Sequence, residues 1–333
     1  MKNVYLLIKL NRLIKSVWIK NLGIYFLHIT GKRYYAVFLD PIVMCNLRCR
    51  MCYFSDENYR KTHQSRKFTD DEIEKIANVF FKRALKLQIG CGAEPSLFQN
   101  NEKIIRLAKE KKVPYISMTT NANLLKDEDW KSFIDSGLDE VTLSLHGVKK
   151  ENYEYFMTNA SYELFLASLQ ALTKLKKQNP QFKIRINYTV NKDNLEELAY
   201  FFEIFKNYHF DILQIRPIQK IGDSDYNDFS WNSIIEQYDS IIGKLRQEAI
   251  IRQITFIAPE KKDLTKSENE NSSIADSTNF YVSSRSCWED GFDLQKDTYE
   301  SYSKRTHLGR RLFKRIFQKS NNKTKKILNY KIN

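Results

Sequence analysis

Acidic residues are missing from both ends of the chain. Residues 1–36 hold seven Lys or Arg and no Asp or Glu; residues 301–333 hold eleven and again no acid. The whole chain carries +14, so the stretch between the ends is net acidic by four. Basicity belongs to the termini. With no recognised nucleic-acid motif in that acidic body, nucleic acid is not the expected partner. Long hydrophobic runs are missing too. The first 30 residues are largely apolar, but Lys2, Lys9, Arg12, Lys15 and Lys20 interrupt them. That leaves no run near the roughly 20 residues that span a bilayer. No small-residue cleavage site follows, so no secretory signal is read. Cysteine is scarce: five in 333 residues, three of them clustered, which is not a secreted disulfide framework and suits a reducing compartment. The expected location is the cytoplasm, with the basic ends fitting the inner face of the membrane.

What is present is an ordinary globular mix, 42% hydrophobic and 28% charged, which excludes disorder. Strand and helix alternate about six times. Apolar strands are expected at 34–44, 85–92, 113–121, 138–147, 182–191 and 210–218, with a further short one at 254–258. Helices are expected from Thr69, where Glu72 completes a capping box, at 101–112, 127–136, 161–178 and 231–248, and from Asp193 and Asn194. Crossovers of that length join parallel strands, and chemistry on such sheets sits at the strands' carboxyl ends. Residues 259–285 are polar and weakly periodic and read as a linker. The chain thus divides into a basic amphipathic helical extension (1–33), a core barrel (34–258), the linker, and a basic C-terminal extension (286–333).

The cluster is Cys45, Cys49 and Cys52, spaced C-x3-C-x2-C in "MCNLRCRMCYF". A structural zinc site takes four ligands, usually from two separated pairs. No second pair exists, and His63 is the nearby residue that could complete such a site. An iron–sulfur cube has four metal corners. Three thiolates leave one iron open, and an open coordination position marks a catalytic rather than a structural metal.

This triplet, placed after the first strand of an α/β chain, resembles the radical S-adenosylmethionine (SAM) superfamily over roughly residues 36–220. The resemblance implies a partial (β/α)6 TIM-like barrel with parallel strands. It also implies one [4Fe–4S] cluster on Cys45, Cys49 and Cys52, with SAM on the fourth iron. One electron then gives methionine and a 5′-deoxyadenosyl radical that abstracts hydrogen from a substrate. A reductant such as flavodoxin or ferredoxin is implied as a partner. "GCGAEP" resembles the family's Gly-Gly-Glu-Pro segment through Gly92, Ala93, Glu94 and Pro95, with Ala93 replacing a glycine. By resemblance, Glu94 and nearby backbone bind the SAM amino group. Asn121 lies in a Thr-Asn-Gly-like turn. Ser144 is placed to meet the SAM ribose or carboxylate, Asn187 the ribose, and "QIRP" (214–217) the adenine. Met51 stands where an aromatic residue is common, and His146 where Asp is common.

His146 reads as a polar residue at the cavity mouth or as a proton donor. Cys91 reads as a packed thiol or as a hydrogen-atom donor. Cys287 and Trp288 resemble the start of the cysteine-rich extension of peptide-modifying relatives. Only Cys91 and Cys287 remain for it, too few for a second four-cysteine cluster. The favoured substrate is a membrane-associated or anionic lipid or glycan intermediate; a peptide is the alternative. A non-enzymatic iron–sulfur sensor or electron-transfer protein is the competitor from another class, and it would need neither Glu94 nor Ser144.

Two stripes occupy the ends: Tyr5, Leu6, Leu10, Leu13, Ile14, Val17 and Trp18, then Leu308, Leu312, Phe313, Ile316 and Phe317. Each fits a helix that lies on an anionic membrane or packs on the barrel. The two uses are compatible.

Overall fold

The computed structural model describes residues 13–14, 16–63, 66–218, 224, 226, 230–264 and 274–318. Six strands carry the fold: β1 (Tyr35–Asp40), β2 (Ala84–Ile89), β3 (Ile116–Thr120), β4 (Glu140–Leu145), β5 (Lys183–Val190) and β6 (Ile212–Pro217). They lie side by side in chain order and all pair in parallel. A short β7 (Thr255–Ile257) extends the β6 edge, and β8 (Asn279–Ser283) pairs with β1 at the other. The result is an open eight-stranded α/β sheet rather than a closed barrel.

Alternation along the strands explains its two faces. Val37, Leu39, Leu87, Ile89, Val141, Leu143, Ile184 and Ile186 are fully buried in the core shared with the helices. The intervening positions are polar and bond across strands: Ser117 Oγ donates to Gln88 Oε1, Gln88 Nε2 to Thr119 Oγ1, and Arg185 to Gln214 and Glu140. One face is therefore oil and the other a polar concave wall, where the sequence reading had strands apolar nearly throughout.

The capping box is present. Thr69 accepts from the Glu72 N–H, the Glu72 side chain accepts from Thr69 N, and helix Asp70–Phe80 buries Ile73, Ile76, Ala77 and Phe80. No full helix starts at Asp193. Asn191 Oδ1 there accepts the N–H groups of Asp193 and Asn194. That turn leads into a 3₁₀ stretch (Glu196–Tyr200) and only one helical turn (Phe201–Ile204). A helix at Lys150–Phe156 was not anticipated.

The largest departure is in residues 259–285, read as a linker. Its 279–283 segment is β8, because Phe280 and Val282 are buried there. Phe280 stacks on Tyr35 at 4.0 Å and on Trp288 at 4.7 Å. The expected helix of the Tyr5-to-Trp18 stripe falls mostly outside the described residues; the helix that is described runs Val17–Ile29, capped by Ser16. It packs against helix Leu308–Phe317: Asn21 Nδ2 donates to Arg315 O at 3.0 Å, and Tyr25 meets Phe313 at 5.2 Å. The expected C-terminal stripe splits, with Leu308, Leu312 and Ile316 buried and Phe313 and Phe317 exposed. Among the described residues no helix is long and apolar enough to cross a membrane.

Candidate functional site

The loop after β1 holds the three cysteines and is clamped by its own backbone. Arg48 N donates to Thr158 O (2.9 Å) and Arg50 N to Phe156 O (3.0 Å), tying the loop to the end of helix Lys150–Phe156. The Arg48 guanidinium donates to the carbonyls of Cys45 (2.8 Å) and Leu47 (2.7 Å). Leu47 N–H points at Cys45 Sγ, 3.4 Å away. Burial pushes Cys45 up to about 12, helped by the Glu94 carboxylate. Burial also raises Cys52 to about 11, and raises Cys49 with the two neighbouring sulfurs adding to it. Three bare thiolates this close are unfavourable. Bound cationic metal reverses that, since it holds coordinating thiols deprotonated.

The segment after β2 is fixed from two sides. Gly90 sits at φ +75°, and a Cβ there would lie 2.4 Å from Thr119 O. Only glycine fits such a position without strain. Asp40, fully buried at the end of β1, accepts from Cys91 N (2.7 Å), Gly92 N (3.0 Å) and Tyr281 OH (2.7 Å). Burial raises its carboxyl to about 6 against those hydrogen bonds. Tyr53 OH donates to the Gly92 carbonyl. Glu94 N donates to Met44 O at 2.8 Å. The Glu94 carboxylate accepts from Ser96 N, Ser96 Oγ and Thr120 Oγ1 at Oε1, and from Asn121 N (2.8 Å) at Oε2. It therefore staples the β2 and β3 loops together, with Oε2 the less engaged oxygen.

One cavity of about 220 Å³ gathers nearly every residue singled out in the sequence. Cys45, Cys49, Cys52, Gly92, Ala93, Glu94, Asn121, Ser144 and Asn187 line it, as do Met51, Cys91 and His146. Pro95 does not; it is buried behind Gly90. Asn121 spends its side-chain amide on Asn46 Oδ1 (2.9 Å), inside the cysteine loop. Ser144 and Asn187 are register partners on β4 and β5, and Ser144 is the one β4 residue not buried. Asn187 Oδ1 and His146 Nδ1 are shielded from solvent and have no hydrogen-bond partner. Burial, then the charge of Arg216, lowers His146 to about 4. Met51 packs with Phe156 and Ile218 and accepts from Asn191 Nδ2. Cys91 Sγ rests 3.7 Å from Gln88 O, and burial, then the Asp40 charge, raises the thiol.

His63 stacks on Tyr59 at 4.0 Å and does not line the cavity. Among the described residues no group of three or more His, Cys, Asp or Glu side chains is placed to hold a single metal ion. Cys287 also lies off the cavity, bridged to Val282. Sequence reasoning missed Asp40 and Asn46, whose partners are loop atoms far along the chain. It also did not single out Arg216, which lines the wall beside His146; its signal was the "QIRP" at a strand end.

Soft thiols facing a space with unpaired polar atoms suit a cluster and a hydroxyl-bearing ligand. Comparison with known proteins agrees. The Radical SAM superfamily model matches residues 39–205. A GTP 3′,8-cyclase of Aquifex aeolicus is 28% identical over 209 residues, 61% of this chain and 62% of that protein. A probable GTP 3′,8-cyclase of Metallosphaera sedula is 26% identical over 214 residues, 64% of each. The chain thus spans less than two thirds of the length of these relatives. Among solved structures, Streptococcus suis SuiB bound to S-adenosylmethionine superposes with a TM-score of 0.60 at 14% identity, covering 83% of this chain and 67% of that one. Methylornithine synthase gives 0.51 at 13%, over 88% and 87%. At such identities these likenesses speak for the fold alone. The cofactors are those of the matched family, a [4Fe–4S] cluster and SAM. With its cysteine triplet, its parallel sheet and a family match over half its length, the chain belongs to the radical SAM superfamily.

Proposed function

We propose that this radical SAM enzyme abstracts hydrogen from an anionic lipid or glycan intermediate presented at the mouth of the cavity. The observation that carries the reading is one cavity holding three thiols, two unpartnered buried polar atoms and an arginine. Cys45, Cys49 and Cys52 would hold the cluster by sulfur. When bound, the cluster and SAM together supply one-electron cleavage of the sulfonium to methionine and a 5′-deoxyadenosyl radical.

The chain's own residues set the stage for that chemistry. Asp40 and Glu94 take up N–H groups of residues 91, 92, 96 and 121, so the 91–94 backbone is held in place before any ligand arrives. Such preorganisation removes ordering cost from binding. Asn187 Oδ1, buried without a partner, would accept a ribose hydroxyl, with Ser144 beside it for the ribose or the SAM carboxylate. Arg216, which lines the cavity, would meet an anionic group of substrate or SAM. His146 is neutral at pH 7, so its Nδ1 can accept a hydrogen bond. The Cys91 thiol is held protonated by burial and packs the wall.

The names of the relatives favour a second reading, a purine nucleotide whose phosphates meet Arg216. The test uses anaerobically reconstituted protein with dithionite and SAM. 5′-Deoxyadenosine is measured alone, with GTP, and with a membrane lipid extract. Stimulation by the extract is expected. Stimulation by GTP instead transfers the site to the nucleotide reading, and no 5′-deoxyadenosine under any condition sinks both.

A further inference from the structure

Helix Val17–Ile29 turns a wholly apolar face to solvent. Asn21 and Ile24 are its buried side. Trp18, Leu22, Phe26 and Ile29, spaced four, four and three apart, share one exposed side. Helix Leu308–Phe317 lies alongside and adds Phe313 and Phe317, whose rings contact each other at 5.3 Å. These six side chains are between 40% and 68% exposed. A contiguous patch of this kind marks an interaction surface, since scattered single apolar residues are the norm on a protein surface.

The charge carried by the two helices themselves is of one sign. Residues 16–33 and 308–318 contain no Asp or Glu. Arg310 and Lys314 are exposed on the outer side of helix Leu308–Phe317, and among the described residues neither is in an ion pair. The helix Val17–Ile29 is 13 residues long, about 20 Å, too short to cross a bilayer. Aromatic and aliphatic side chains with a basic rim are the composition of surfaces that lie in the headgroup region of an anionic bilayer.

We infer that the paired helices Val17–Ile29 and Leu308–Phe317 form a docking surface for an anionic lipid bilayer, into which Trp18, Leu22, Phe26, Ile29, Phe313 and Phe317 insert while Arg310 and Lys314 meet the headgroups. The surface deepens the substrate reading above by placing the enzyme where a lipid-linked intermediate resides. It stands on separate residues, so its test is separate from the chemistry.

The experiment is flotation of the full chain, loaded with iron and sulfide, on vesicles of phosphatidylcholine alone or with phosphatidylglycerol added. Wild type should float with the anionic vesicles at low salt. Raising salt to about 1 M should weaken this strongly, as the Debye length falls from about 10 Å to about 3 Å. On binding, Trp18 emission should shift to the blue, and Trp18→Phe should lack that change. The double substitution Leu22→Glu with Phe26→Glu should lower the bound fraction about tenfold or more. Both positions are exposed, so far-UV circular dichroism and the thermal midpoint should match wild type. Arg310→Glu with Lys314→Glu should weaken binding to anionic vesicles only. The inference is overturned by no flotation on anionic vesicles at low salt, by equal flotation on neutral vesicles, or by flotation unchanged by Leu22→Glu with Phe26→Glu. A wild-type dimer that this double substitution turns into a monomer would likewise overturn it, assigning the face to a second copy. Failure here with 5′-deoxyadenosine formation intact removes the surface and leaves the radical chemistry standing.

Discussion

Asp40 joins three parts of the molecule with one carboxylate. It receives the backbone N–H groups of Cys91 and Gly92 and the hydroxyl of Tyr281. Asn at this position keeps the shape but turns one acceptor into a donor that faces a donor. Asp40→Asn should cost about 3 kcal/mol, the range for a hydrogen bond to a buried charge with a partner left unpaired. It should also weaken SAM binding, because the 91–94 backbone loses its anchor, while iron content stays near wild type, since these hydrogen bonds of Asp40 go to residues 91, 92 and 281 and not to the cysteine loop. Urea unfolding and equilibrium dialysis with SAM check both parts; an unchanged midpoint and unchanged affinity would show that the carboxylate is not the anchor. The cysteine triplet was legible in the sequence because its spacing is local. Asp40 was not, because its partners lie 51 and 241 positions away and nothing in "FLDP" announces them.

At the scale of elements, the six central strands and the capping box were legible because period and caps are written within each segment. The strand β8 was hidden by polar neighbours and has only two buried apolar side chains of its own, Phe280 and Val282. Its place is decided by aromatic rings from β1 and from residues 288 and 299. The same region fixes helix Val17–Ile29 through His28, whose Nδ1 lies 2.9 Å from Tyr299 OH. Burial, then the charge of Arg83, lowers His28 from 6.5 to about 4. As pH falls below about 6.5 the unfolded chain takes up the proton before the folded one, so stability is full above that point and declines toward about pH 4. The thermal midpoint should therefore fall between about pH 7 and about pH 4.5 by more in wild type than in His28→Gln. Equal falls in the two proteins would show that His28 is not the group responsible.

At the scale of the whole molecule, the two basic ends come together. Asn21 meets Arg315 across 294 positions, a pairing that charge and periodicity in the separate segments could not reveal. The cysteines show the same contrast between local pattern and global placement. Cys91 lies in the cavity wall and Cys287 outside it. Three thiols in one loop can hold one cube and leave one corner for a ligand from outside the protein. Anaerobically reconstituted chain should therefore carry about four irons, as one cube requires. Cys45→Ala, Cys49→Ala and Cys52→Ala should each lose most of that iron and the broad visible absorbance that accompanies it. Cys91→Ser and Cys287→Ser should keep both, because neither sulfur belongs to the loop that Arg48 and Arg50 clamp to residues 156 and 158. Iron and labile sulfide assays decide the matter for all five variants in parallel. Zinc in place of iron, or iron lost on replacing Cys91, would show that the metal is held by a different set of sulfurs.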